Sequence, residues 1–183
     1  MKFIKTDFEG LFVIEPNLIE DDRGWFMRTF DAKLFSEVNF NLHKDWKQVN
    51  HSHNSKKGTF RGLHFQFPPF AETKLIRCIS GAVIDFALDL RKNSNTFLKV
   101  FKIELSEHNK KTVLLPRGFA HGFITLQDNS DLLYFHDEFY NSEFEGGIYY
   151  QDTLIIDQIN ISPTIISEKD LNYKKLNNEF KGI

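Results

Sequence analysis

Apolar residues in this chain come in short bursts, mostly four to eight residues long, and turn-forming residues separate one burst from the next. Leu11–Glu15 ends at Glu15-Pro16-Asn17, and Asp21-Asp22-Arg23-Gly24 makes a turn before Trp25–Phe30. From Trp46 onward the pattern predicts strands over 46–52, 59–66, 74–80, 82–90, 97–105, 112–115, 119–126 and 132–139. Gly58, Gly81, Lys92-Asn93-Ser94-Asn95, Glu107-His108-Asn109 and Asp128-Asn129-Ser130 punctuate them. Many short strands at near-regular spacing, with no helices alternating between them, predict an all-β sandwich or barrel. Helical spacing is confined to Ala32–Val38, where Asp31 is a plausible N-cap, and to a short stretch that Ser167 would cap, with Asp170 in its first turn. No repeat, linker or low-complexity block interrupts the chain, so residues 1–183 are read as one domain, with 172–183 a loosely held, Lys- and Asn-rich tail.

The alternation also assigns faces. In 46–52 it places Trp46, Gln48, Asn50 and Ser52 on one side. In 82–90 it sets Val83, Asp85, Ala87 and Asp89 against Ile84, Phe86, Leu88 and Leu90. A barrel with a polar, ligand-lined interior gives this pattern, and so does a sheet with one wetted face.

Composition narrows the function. Apolar residues make up 41% and charged residues 26%, ordinary values for a soluble globular chain, and no run reaches the roughly 18 to 20 apolar residues of a membrane span. A formal charge of −2 supplies no general field for nucleic acid, so an anionic ligand has to be held by local Arg and Lys. The single cysteine, Cys78, excludes an internal disulfide, sits in an apolar run as a buried inert thiol, and points to the cytoplasm. The 20 Phe residues are chiefly strand packing.

The chemistry concentrates in RGLHFQ (Arg61–Gln66), in Lys74, and in PRGFAHGF (Pro116–Phe123). A neutral imidazole at His64 can remove a proton, while Lys74 or Arg61 can hold the negative charge that results. Together they suggest acid–base chemistry on an anionic carbonyl compound. A carboxylate beside His64 would orient its ring; Asp85, Asp89 and Asp170 are candidates that local spacing does not separate. In an unbroken strand Arg61 and His64 face opposite sides, so both reach one pocket only if Gly62 marks a bulge. Tyr134 lies in an aromatic strand and gains a role only where a proton donor is needed opposite His64.

Two other classes fit parts of the sequence. His51-x-His53 has the spacing of two ligands on one strand face, and Pro116-x-Gly118-x-x-His121 resembles the second metal motif of cupins. The residues after His53 include Lys56-Lys57 where a carboxylate ligand is wanted, which disfavours a metal. A cupin oxygenase would use His51, His53 and His121; a non-catalytic binding cupin would need no base at all.

Taken in order, Arg23-Gly24-Trp25-Phe26, Gln48-x-Asn50-His51-Ser52, RGLHFQ, Lys74-Leu75-Ile76-Arg77, Asp89-Leu90-Arg91, GFAHGF, Tyr134, Tyr140 and Ser167-x-Lys169-Asp170 resemble the dTDP-4-dehydrorhamnose 3,5-epimerase family. The resemblance runs from about Ile14 to Leu171. It implies a cupin-type jelly-roll β-barrel with short peripheral helices, a homodimer, no metal and no cofactor. It implies epimerisation at C3 and C5 of a nucleoside-diphosphate-4-keto-6-deoxyhexose, with a rival reading as a single-carbon epimerase or ketoisomerase. His64 paired with Asp170 would be the base, Tyr134 the acid and Lys74 the partner of the keto oxygen. Arg61 and His121 would hold substrate or diphosphate, and Arg23, Gln48, Asn50, Glu145 and Lys169 the nucleotide, with Tyr140 stacking on its base. Arg28 stands where the family has an acid and would either change which base is read or add a phosphate contact; Phe135 and Gln158-Ile159 are further departures.

Overall fold

The computed structural model describes residues 1–38, 46–177 and 179–183. Numbered in chain order, one sheet runs β1 (Lys2–Lys5), β2 (Phe12–Glu15), β10 (Thr112–Leu115), β7 (Lys74–Ser80), β12 (Ser130–His136) and β5 (Gln48–Asn54). A second runs β13 (Glu145–Gly147), β6 (Phe60–Gln66), β11 (Phe119–Thr125), β8 (Ala82–Asp89) and β9 (Val100–Ser106). The pairings within both sheets are antiparallel. The result is the expected jelly roll, built as two facing sheets rather than one closed ring. A separate hairpin, β3 (Leu18–Asp21) with β4 (Gly24–Met27), leaves Ile19, Trp25 and Phe26 exposed.

The space between the sheets is dry at one end. Ile76, Cys78 and Leu132 from the first sheet meet Val83, Ala87 and Phe123 from the second. Each large side chain buried there stabilises the fold by about 1.5–3 kcal/mol. The outer face of the second sheet is buried too. Phe86, Leu88 and Leu90 pack under Ile148, Tyr150, Ile155 and Ile159, the last beside or within α2 (Ile156–Ile159). Both alternating sets of β8 are therefore covered, one by the facing sheet and one by the C-terminal segment. Helix α1 (Ala32–Val38) is capped by Asp31, whose Oδ1 accepts from the Lys33 and Leu34 amides at 3.0 and 3.3 Å.

Two expectations change in detail. Trp46 lies before β5 and packs outside the sheets, edge-on to Phe30 and Phe135, because an indole finds more apolar surface there than in a polar interior. The strand expected from 97 begins at Val100, since residues 91–97 fold into a turn around Asp89, which accepts from Arg91, Ser94 and Thr96. Among the described residues of 172–183, several have partners in the rest of the chain. Leu176 N donates to Asp152, Ile183 N donates to Leu90 O, and Phe180 stacks on Phe97. Among the described residues no helix is long and apolar enough to cross a membrane.

Candidate active site

Strand β6 contains the irregularity that the site requires. His64 pairs with His121 and Arg61 with Phe123, so three steps on β6 oppose two on β11. Gly62 supplies the extra residue at φ +130°, a conformation that disfavours any side chain. A Cβ there would lie 2.5 Å from the Gly122 Cα, so the two strands approach as closely as they do because both positions lack a side chain. The bulge restores parity and turns Arg61 and His64 to the same face. Arg61 Nε donates to Asn54 Oδ1 at 2.8 Å.

Of the three candidate carboxylates, Asp170 reaches His64. It sits in α3 (Glu168–Leu171), and the Ser167 hydroxyl accepts from its backbone amide, as the capping pattern predicts. Asp170 Oδ1 is 2.7 Å from His64 Nε2, and its other oxygen accepts from Gly62 N at 3.2 Å. Burial works to raise this carboxyl, but the bonds from His64, Gly62 and Ser167 outweigh it and hold it below its ordinary range. An ionised carboxylate only accepts, so His64 Nε2 carries the proton and Nδ1 is left with the lone pair of the neutral ring. Asp85 instead lies 2.7 Å from His121 Nε2, deep between the sheets, and Asp89 belongs to the turn described above.

The facing wall comes from the first sheet. In register, Tyr134 lies between Asn50 and Ile76, while His136 lies between Gln48 and Lys74, so these side chains form adjacent rows on one face. Lys74 is 8% exposed, and its ammonium is 3.0 Å from Glu72. A cavity of about 160 Å³ lies between the walls, lined by Gln48, Asn50, His64, Gln66, Glu72, Lys74, His136, Tyr140 and Glu145 among others. His64 and Lys74 thus share one hollow.

Tyr134 does not line this cavity; its hydroxyl is 2.9 Å from Ser52 and its ring 6.0 Å from that of His121. Burial pushes the phenol far up; the Ser52 bond opposes this and the Asp85 charge adds to it. The phenol therefore keeps its proton across the ordinary pH range. At the mouth, Lys169 donates to both Glu145 oxygens at 2.6 and 2.8 Å, and Tyr140 donates to Glu145 at 3.0 Å. Gln66 pins this rim by bonding Phe70 O, Phe139 O and the Asn141 amide.

Other candidates lie elsewhere in the chain. Arg23 is on the β3–β4 turn, its side chain 90% exposed and paired with Asp21, and Arg28 pairs with Asp31. Neither lines the cavity. The metal triad is split by the first sheet: His51 and His53 turn outward toward Asp131, whereas His121 turns inward toward Asp85. Cys78 is buried with its thiol pushed up to about 11, chiefly by desolvation, as an inert thiol should be.

The sequence reading did not find Glu72, His136 or Tyr173. Glu72 and Lys74 are two apart, as are Tyr134 and His136, and that period is the signal that was available. Tyr173 leaves no such trace. Its ring meets His64 edge-on at 5.6 Å, in a space that Gly147 leaves open.

Comparison with known proteins points to one family. Residues 5–178 match the family model described as dTDP-4-dehydrorhamnose 3,5-epimerase. A protein of that name from Shigella flexneri is 40% identical over 175 residues, covering 96% of both chains. Another, from Methanothermobacter thermautotrophicus, is 41% identical over 178 residues, covering 96% of this chain and 94% of that one. Among solved structures, dTDP-4-dehydrorhamnose 3,5-epimerase from Elizabethkingia anophelis superposes with a TM-score of 0.88 at 39% identity, covering 98% of each chain. A dTDP-6-deoxy-D-glucose-3,5-epimerase from Legionella pneumophila, in complex with dTDP-4-keto-L-rhamnose, gives 0.89 at 34% identity, covering 97% of this chain and 94% of that one.

Proposed function

The chain belongs to the dTDP-4-dehydrorhamnose 3,5-epimerase family, and on that premise we propose that it inverts C3 and C5 of a dTDP-4-keto-6-deoxyhexose through an enolate. Both carbons flank the C4 ketone, so both hydrogens are acidic and one oxygen takes up the charge in either step. His64 Nδ1 removes the proton, and Asp170 stabilises the imidazolium that forms. Lys74 faces the developing oxyanion. Tyr134, on the sheet opposite His64, returns a proton from the other side, which is what inversion requires.

Magnitudes require all of these groups. General acid–base catalysis supplies about 10²–10⁴-fold, whereas enzymes lower barriers by roughly 8–23 kcal/mol. The remainder falls to charge stabilisation by Lys74 and to positioning by the bound nucleotide. For that binding we assign Arg61 and His121 to the sugar and diphosphate, and Gln48, Asn50, Tyr140, Glu145 and Lys169 at the rim to the nucleoside. Arg23 and Arg28 fit this scheme in a homodimer. The hairpin with exposed Ile19, Trp25 and Phe26 would pack on a second copy and carry Arg23 toward that copy's cavity. The lone inert thiol is consistent with a cytoplasmic enzyme supplying deoxysugar for surface polysaccharide.

The observation that carries this reading is the shared hollow: a carboxylate-held imidazole on one sheet, and an ammonium on the other. Incubation with dTDP-4-keto-6-deoxyglucose in D2O, followed by NMR, tests it. Deuterium is expected at C3 and C5. Uptake at one carbon means a single-carbon epimerase, and uptake at neither removes the substrate assignment.

A further inference from the structure

Glu72 serves two partners at once. Its Oε1 is 3.0 Å from the Lys74 ammonium and its Oε2 is 2.7 Å from His136 Nδ1, and all three residues line the cavity. The register explains the cluster. His136 and Lys74 are direct cross-strand partners on the inner face, and Glu72 precedes β7 by two residues. Burial works to raise the Glu72 carboxyl, but Lys74 and His136 outweigh it and bring it down to about 2, so at neutral pH it is an anion. An anion only accepts, so His136 Nδ1 carries a proton whether the ring is neutral or charged. The Asn50 amide, 3.3 Å from His136 Nε2, serves either form by presenting its NH2 or its oxygen.

This arrangement creates a difficulty for the proposed chemistry and also relieves it. A carboxylate bound to Lys74 alone would cancel the charge that the enolate oxygen needs. We propose that His136 is a positioning residue that acts through Glu72: by donating Nδ1–H to that carboxylate it weakens the hold on Lys74 and leaves the ammonium available to the substrate oxygen. The inference rests on the reading that Lys74 faces that oxygen. Its distinctive consequence is a suppressor relationship. Losing His136 harms catalysis only while Glu72 is charged.

The test is a double-mutant cycle on the full-length enzyme with dTDP-4-keto-6-deoxyglucose. His136→Met, which offers no donor, is expected to lower kcat at least tenfold with KM changed less than threefold. His136→Gln, which restores a donor, recovers part of that loss. In the Glu72→Gln background, adding His136→Met is expected to change kcat less than threefold, so that Glu72→Gln/His136→Met stays close to the Glu72→Gln value. A double variant whose loss equals the product of the two single losses overturns the proposal. So does a His136→Met enzyme with wild-type kcat.

A second arm needs no substrate. In protein labelled with ¹⁵N-lysine, the Lys74 Nζ signal is assigned by its absence in Lys74→Met. Its protons are expected to exchange with water at least threefold more slowly in His136→Met and faster in Glu72→Gln. Equal exchange in all three proteins overturns the proposal. If wild type takes up no deuterium at either carbon, the substrate reading falls, while this arm still decides whether His136 governs the Lys74–Glu72 pair.

Discussion

His64 and Asp170 stand 106 residues apart in sequence and 2.7 Å apart in space, and this single contact fixes which imidazole nitrogen is free to act. His64→Ala is expected to abolish deuterium uptake at C3 and C5. Asp170→Asn has a subtler effect. An amide NH2 in place of the carboxylate would donate to Nε2, move the ring proton to Nδ1 and leave the cavity side without a lone pair. A fall in kcat of about 10²–10⁴ is expected, read by NMR-monitored turnover. An Asp170→Asn enzyme within threefold of wild type would show that the tautomer is not set this way.

Tyr134→Phe separates proton removal from proton return. His64 and Lys74 remain, so the enolate still forms and solvent deuterium still enters from the His64 side. Inversion needs the opposite face and is suppressed. The measurement is isotope uptake against the stereochemistry of recovered sugar nucleotide. Normal epimerisation by the variant would remove the phenol from the mechanism.

Acid stability should report on Glu72. Its carboxyl is held at about 2, below the ordinary 4.5, so its contribution is complete above about 4.5 and disappears as pH falls toward 2. A depression of this size corresponds to about 3 kcal/mol. Urea unfolding of wild type and Glu72→Gln at pH 6 and pH 2.5 measures it. The gap between the two proteins should be largest at the higher pH and shrink at the lower one; a gap that does not change with pH assigns the shift to something else.

Gly62 and Gly122 set the strand spacing under the site. Gly62→Ala places a methyl group 2.5 Å from the Gly122 Cα, at a positive φ that already disfavours it. A loss of about 2–3 kcal/mol is expected. It should appear as a lower urea midpoint at unchanged slope, accompanied by weaker turnover because His64 and Asp170 are both tethered to this bulge.

His51→Ala and His53→Ala test the discarded metal triad. Both rings lie on the outer side of the sheet, with Asp131. Turnover within twofold of wild type is expected for each. A tenfold loss in both would reopen that class.

Much of this was legible in the chain because period-two alternation is a strong signal. The strand cores, the inward set Gln48, Asn50 and Ser52, and the need for an irregularity at Gly62 all followed from it. The partner of His64 did not, because Asp85, Asp89 and Asp170 look alike until the fold sends each to a different cation or ring. Trp46 was assigned to the wrong side because the strand starts two residues later than its hydrophobic pattern suggests. Glu72 and His136 were missed for a related reason. Each was hidden beside a residue that had already been given a role, and only cross-strand register makes them neighbours.

Asp170 is translated more than a hundred residues after the imidazole it bonds. A nascent chain still held in the ribosome upstream of Asp170 has already synthesised both sheets, yet its His64 has no acceptor to settle the ring.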